Sequence, residues 1–393
     1  MRVQTVETFL CDAGWRPWIF VKITTDDGLV GWSECTDSNG APAAFPKMIE
    51  TLARQVIGKD PRNIVSALHD MRRATRQSPG GLLQKGIAGI ENALWDIKAR
   101  SLDLPVYELL GGAVRDRFRV YWSHCGTSRV RAAEVIGVPA IRSLEDVGSF
   151  CRETLAPSGI TAMKTNILLF SGEPRVYMPG FKGGLGVWEQ LPRRQVEREI
   201  EVLLRTLREN LPDGFDICLD LNFNFDVDGF KRVARIAEGY DLMWLEMDLY
   251  DPAALESITR GTSTTVCSGE NLYLARGYEP FIRRHAMDVV MIDVVWNGLS
   301  ESRRIAELAE MHDLSVTPHN YYSHLSTFMS AHFSAAVPNA RALEVDIDDV
   351  PWKDELTTAG PEIREGAMSL PRAPGWGAQI NEEVLREHPW NDG

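Results

Sequence analysis

The sequence predicts an α/β barrel preceded by a small α+β domain. Two observations carry the barrel. Asp220, Glu246, Glu270, Asp293, His319 and Glu344 follow one another at spacings of roughly 23–26 residues, about one strand plus one helix. Each also stands where a short apolar run stops. Ile217-Cys218-Leu219 precedes Asp220, Leu242-Met243-Trp244-Leu245 precedes Glu246, and Val289-Val290-Met291-Ile292 precedes Asp293. An apolar run of that length closed by a polar residue is expected of a buried parallel strand delivering a side chain to a barrel mouth.

Residues 1 to about 40 alternate as antiparallel strands, with Asp26-Asp27-Gly28 as a hairpin turn between Ile19–Ile23 and Leu29–Trp32. Helices are expected at 44–57, 64–76 and 85–102, the last ending before Pro105. The alternating section starts at Phe118–Trp122. Ser143-Leu144-Glu145-Asp146 caps a helix running to about Leu155, and Ile160–Lys164 is the next strand. Further helices are expected at 192–209, 229–240, 252–259, 276–284, 299–311 and 323–337. Eight strands and seven helices therefore lie between Phe118 and Glu344. After Val350 the chain turns rich in Pro, Gly and Trp and is expected to pack back on the first domain. The working division is an α+β domain at 1–117, a barrel at 118–350 and a tail at 351–393. An insertion at 167–190, rich in Gly and Pro, follows a strand end and reads as a lid or binding loop at the mouth.

With 393 residues the chain can bury a large core. Its formal net charge of −13 offers no basic face for nucleic acid. No apolar run approaches the length of a membrane span, and the N-terminus has no signal core. The six cysteines show no paired spacing, and Cys218 and Cys267 fall inside expected strands. They read as reduced core thiols of a cytoplasmic protein.

Asp220, Glu246 and Glu270 close three successive strands. Three carboxylates held together repel one another, and a divalent cation removes that penalty. All-oxygen ligation selects magnesium or manganese over zinc. The bland alternative is three unrelated salt-bridged acids. Asp293 and His319 close the next two strands, where a carboxylate on one ring nitrogen makes the other a directed base. Glu344 is either a donor to a substrate carboxylate or a salt-bridge partner. Alternation puts Lys164 and Asn166 on one face of the second strand, able to reach the mouth together. His124 ends the first strand and is either a mouth residue or structural. No phosphate loop and no nucleophile elbow is present.

The chain resembles the mandelate racemase-like branch of the enolase superfamily along nearly its whole length. The resemblance rests on Gly31-Trp32-Ser33-Glu34, Ile90 to Lys98, Pro105 to Gly112, Asp220-x-Asn222, Trp244-Leu245-Glu246, Ser268-Gly269-Glu270-Asn271, Asp293 to Gly298 and Pro318-His319-Asn320. It implies a (β/α)7β modified TIM barrel under an α+β capping domain built from both termini. It also implies one magnesium ion on Asp220, Glu246 and Glu270, and removal of the proton α to a carboxylate. His319 oriented by Asp293 is then the base, and Glu344 and Lys164 bind the carboxylate. The substrate is a small-molecule carboxylate, and the family implies a symmetric homo-oligomer.

The departures from that family pattern narrow the chemistry. Racemases carry Lys-x-Lys on the second strand; here Asn166 replaces the second lysine and cannot take a proton. Dipeptide epimerases need lysine on the sixth strand, where this chain has Asp293. A single dyad fits β-elimination of water from an acid sugar, aldonate or aldarate, to a 2-keto-3-deoxy acid. Galactonate dehydratases share Lys-x-Asn but carry histidine where this chain has Asn222. The acid that expels hydroxide is open between His319 itself, Tyr321, His324, His124 and the 167–190 insertion. Trp15, Arg16, Asn166, Asn222, His124 and Tyr321 are the candidate substrate contacts. The alternatives are a racemase or epimerase using a second base such as His124, and a non-catalytic barrel with a binding role.

Overall fold

The structure is a computed structural model that describes residues 1–38, 40–179, 181 and 191–390. It opens with three antiparallel strands, Val3–Asp12, Pro17–Thr25 and Val30–Glu34. One face of this sheet packs on the helix Gly81–Ser101 and buries Ile19, Val21, Ile23, Ile90, Leu94 and Ile97 together. The strand crosses the helix closely at Gly31, where a Cβ would lie 2.5 Å from Ile97 Cγ1 and 2.6 Å from the Ala93 carbonyl. The helix begins four residues before the expected start. Gly80, at φ +93°, makes the turn into it. The two shorter helices, Phe45–Ala53 and Ile64–Ala74, end earlier than their apolar periodicity suggests.

Eight parallel strands follow: Arg117–Ser123, Ala162–Asn166, Asp216–Asp220, Trp244–Glu246, Val266–Ser268, Val289–Ile292, Ser315–Pro318 and Leu343–Asp346. The first seven pair in succession, and the last pairs back with the first. The remaining seam is closed by a Val316–Ala340 bridge and by Arg341 N donating to Val316 O at 2.8 Å. The crossovers are helical, among them Arg194–Asn210, Val227–Ala237, Pro252–Thr259, Leu274–Ile282, Leu299–Glu310 and His324–Ala336. In the first crossover Ser143 Oγ accepts from Asp146 N at 3.1 Å, as its capping pattern predicts, and the helix Leu144–Phe150 widens to a π turn at Cys151–Leu155.

Side chains inside the barrel stack in layers. Tyr121, Ala162, Cys218, Trp244, Cys267, Val289, Met291 and Ala342 form an apolar plug. Because strand residues alternate faces, the residues two further on, Ser123, Lys164, Asp220, Glu246, Asp293 and Glu344, make the next layer towards the mouth. Glu344 differs from expectation: it is the second residue of its strand, which continues through Asp346. All six cysteines are free and buried. Burial raises the thiols of Cys218 and Cys267 far above their ordinary range, which makes them inert packing groups.

The tail contains more structure than its composition suggests. A hairpin, Ile363–Arg364 with Ala367–Ser369, adds antiparallel to the first barrel strand. Trp376, fully buried, donates from Nε1 to Trp32 O at 3.0 Å, and a helix follows at Glu382–Glu387. The tail thus touches both the opening sheet and the barrel. Of the 167–190 insertion, Leu168–Leu169 and Arg175–Val176 form a short hairpin, while Gly180 and 182–190 lie outside the described residues. Among the described residues no helix is long and apolar enough to cross a membrane.

Candidate active site

A cavity of about 730 Å³ lies between the opening domain and the barrel mouth. Of the residues singled out in the sequence, Trp15, His124, Lys164, Asp220, Asn222, Glu270, His319 and Tyr321 line it. Glu246, Asp293, Asn166 and Glu344 stand just beneath and hold the lining residues. Arg16 does not line it: its guanidinium is turned into the protein, 2.8 Å from Asp349 Oδ2 and 2.8 Å from the Tyr321 carbonyl. His324 also points elsewhere, with Nε2 2.7 Å from Asp354 Oδ1, so it is removed from the candidates for acid.

Asp220, Glu246 and Glu270 come from three adjacent strands, with Asp220 in register with Glu246. Gly269 makes the third position reachable: it adopts φ +120°, and a Cβ there would meet Met291 O at 2.8 Å. Burial raises the pKa of Asp220, although Lys164 opposes it. Burial likewise raises Glu246 well above the carboxylate range, with Asp220 and Glu270 adding to the effect against Lys164. Glu270 is pushed up to about 8 by burial and by Asp248. Among the described residues no three His, Cys, Asp or Glu side chains converge closely enough to hold a metal as they stand. Their oxygens are engaged elsewhere: Glu246 Oε1 accepts from Lys164 at 2.8 Å, and Glu270 Oε2 is 3.3 Å from His319 Nε2. The donor set nevertheless fits a hard divalent cation. It is all oxygen, it is buried, and the negative charge that adds to the effect of burial on these carboxylates is a penalty that a cation removes. Asp248, buried with Oδ2 unpartnered, adds to that negative charge. It was missed in the sequence because Glu246, two residues earlier, already closes the apolar run.

The dyad is assembled. His319 Nδ1 is 2.6 Å from Asp293 Oδ2, and Asp293 is itself fixed by Tyr322 Oη at 2.7 Å and by Trp296 N at 2.8 Å. Burial alone would lower the His319 pKa, but Glu270 and Asp293 outweigh it and bring it to about 9. Lys164 bridges Glu246 and Glu344, each at 2.8 Å. Burial works against its charge, yet the two carboxylates hold it as a cation well above the usual lysine range. Glu344 also accepts from Ser123 Oγ at 2.5 Å and Asn320 N at 2.8 Å. Burial would raise its pKa, but Lys164 and His319 bring it below the ordinary carboxylate value. It is an ionised salt-bridge partner in this arrangement. Asn166 Nδ2 donates to Asn222 Oδ1 at 3.1 Å.

The opposite wall is aromatic. Trp15 stacks on Tyr321 at 6.0 Å, and His124 packs against both, at 5.9 and 5.4 Å. Burial, reinforced by Arg131, pushes His124 well below the normal histidine range, so it is neutral. Lys85 and Arg131 reach the cavity unannounced by the sequence. Lys85 looks like one more residue of a helix, yet its Nζ lies 3.4 Å over the Trp296 ring and 2.7 Å from Asp37. A lysine in an otherwise apolar helical stretch was the available signal.

Comparison with known proteins places this geometry. Residues 146–384 match the enolase C-terminal domain-like family, and residues 6–111 match the mandelate racemase/muconate lactonizing enzyme N-terminal domain. D-xylonate dehydratase of Haloferax volcanii is 29% identical across 98% of this chain and 88% of its own. D-gluconate dehydratase of Thermoproteus tenax is 27% identical across 96% of this chain and 71% of its own. A solved structure from Burkholderia xenovorans LB400, named as a candidate L-alanine-DL-glutamate epimerase and bound to magnesium and fumarate, is 39% identical. It superposes with a TM-score of 0.96 over 100% of this chain and 97% of that one. The two matched domains, taken with the barrel and its buried acids, establish that this chain belongs to the enolase superfamily, in its mandelate racemase/muconate lactonizing enzyme branch.

Proposed function

We propose that the protein is a magnesium-dependent hydro-lyase that dehydrates an acid sugar, an aldonate or an aldarate, to a 2-keto-3-deoxy acid. The observation that carries this reading is a single directed base. His319 and Asp293 form a tight dyad, while the second strand presents Asn166, which has no basic atom, beside Lys164. One base on one face suits elimination and leaves two-base inversion without its partner. The acid-sugar dehydratases among the relatives support the same chemistry, and the fumarate in the Burkholderia neighbour supports a small carboxylate ligand.

Asp220, Glu246 and Glu270 would hold the magnesium ion, whose chemistry when bound is Lewis-acid polarisation of the substrate carboxylate. Lys164, kept cationic by Glu246 and Glu344, lies beside that position and offers positive charge where charge develops on the substrate oxygens. His319 Nε2, unprotonated once Glu270 no longer faces it, takes the proton from the α-carbon, and Asp293 holds the resulting imidazolium in place. The electron pair left on the α-carbon forms the double bond as the β-hydroxyl departs, and the resulting enol becomes the 2-keto-3-deoxy acid by taking a solvent proton at C3 and losing its O–H proton. The protonated imidazole remains on the face it attacked, so His319 returns its proton to that hydroxyl in a syn elimination. Trp15, Tyr321 and Trp296 wall the cavity and limit water.

A screen of diastereomeric aldonates and aldarates for 2-keto-3-deoxy product, with magnesium and with chelator, tests the reading. A metal-dependent hit is expected, and His319→Asn is expected to lower its kcat at least about 100-fold. Unchanged turnover in that variant would remove His319 as the base. The second reading, an epimerase, draws on His124: it lines the same cavity and is neutral, so it has a nitrogen free to accept a proton.

A further inference from the structure

One cation on the cavity wall has no direct ion-pair partner among the described residues. Trp15 is held between two guanidinium groups, Arg16 at 4.0 Å from the ring centroid and Arg131 at 3.7 Å. Arg16 is neutralised by Asp349 at 2.8 Å and Asp346 at 3.5 Å, and Lys353 shares Asp349 at 3.2 Å. Two cations there face two carboxylates. Arg131 is a third cation: Nε and Nη2 are buried, and among the described residues no hydrogen-bond acceptor or carboxylate meets them. Burial and Arg16 lower its pKa, against the more distant charges of Asp346 and Asp349, only to about 10, so it keeps its charge at neutral pH. A part-buried unpaired guanidinium is costly, and the planar N–H fork is matched to a carboxylate.

The other cations that line the cavity are accounted for. Lys85 is bound to Asp37 and Lys164 to Glu246 and Glu344, while Arg175 is exposed to water. Arg131 follows the first barrel strand and Lys164 lies in the second. The charges of both act on His124, which packs against Trp15 and Tyr321. The cavity therefore has a reacting end at Lys164, Asp220 and His319 and a second cationic end at Arg131.

We propose that Arg131 binds a second carboxylate of the substrate, remote from the reacting carbon, and so selects dicarboxylates over monocarboxylates. This rests on the acid-sugar reading above and narrows it from aldonate or aldarate to aldarate. Arg131 is a specificity residue, and no bond to it is made or broken in the reaction.

The test is calorimetric titration of the magnesium-loaded protein with succinate, glutarate and adipate against butyrate, pentanoate and hexanoate, which need no turnover. At least one diacid is expected to bind about tenfold or more tightly than the monoacid of its length. Arg131→Gln is expected to erase that preference while monoacid affinity stays within about twofold, and Arg131→Lys, which keeps the charge, is expected to retain part of it. No diacid preference in the wild type, or an equal loss for both acids in Arg131→Gln with the Lys variant unchanged, overturns the proposal. Diacid selectivity in a protein that dehydrates nothing upholds the Arg131 site and removes the dehydratase. Dehydration of aldonates with no diacid preference does the reverse.

Discussion

At the scale of single residues, Asp293 is the group on which the proposed base depends. It fixes which nitrogen of His319 faces the cavity, through a 2.6 Å contact that is itself braced by Tyr322 and the Trp296 amide. Asp293→Asn keeps the shape and loses the charge that stabilises the imidazolium. Turnover is expected to fall by about 100-fold or more, with magnesium affinity unchanged; a kcat near wild type would mean that His319 needs no partner. Asp220, Glu246 and Asp293 were legible in the sequence because each is the polar residue that ends an apolar run, and strand alternation then fixes its direction. Arg16 was misjudged for a reason the sequence does not carry. Its fate depends on Asp349, more than three hundred residues away, which captures the guanidinium before the cavity is reached. Arg131 was missed for the converse reason, since lacking a partner is a property of the folded neighbourhood.

At the scale of elements, the strand ends matter more than the helices. The fifth barrel strand stops at Ser268, and Gly269 turns the chain so that Glu270 faces Glu246 and His319. With φ +120° and only 2.8 Å to Met291 O, no side chain fits there without displacement. Gly269→Ala is expected to cost about 1–3 kcal/mol of stability and to weaken magnesium binding, read by denaturant melts and calorimetry. Both values unchanged would mean that the turn does not position Glu270. The helices were legible from periodicity, and Pro252–Thr259 has the expected bounds. The errors fell at ends set by glycine conformation, as at Gly80, and at Glu344, whose strand runs on through Val345 and Asp346.

At the scale of the whole molecule, the barrel, the first domain and the tail meet at His332. Its Nδ1 accepts from Tyr107 N at 3.2 Å, and its Nε2 donates to Trp376 O at 3.1 Å. Burial, against the bond to Trp376, pushes its pKa down to about 4. An unfolded histidine titrates near 6.5. Between those values the unfolded chain takes up a proton that the folded one refuses. The contribution is therefore intact above about pH 6.5 and is lost as pH falls towards 4, by about 3 kcal/mol in all. His332→Gln offers the same acceptor and donor without a titrating group. Its unfolding free energy is expected to fall less between pH 7 and 4.5 than that of the wild type, and parallel curves would contradict the assignment. Packing of the tail on the first domain was expected, but its bond to the barrel helix at His332 was not legible, because its Pro- and Gly-rich composition gives no period to read.

In the proposed reaction one base, on one face, eliminates water. The most direct measurement is turnover of an active acid sugar in heavy water with magnesium, followed by NMR of both product and recovered substrate. A 2-keto-3-deoxy acid carrying one deuterium at C3 is expected, with the recovered substrate unchanged in configuration at C2. Recovered substrate that is deuterated and inverted at C2, without keto acid, would contradict it and establish a second base on the opposite face.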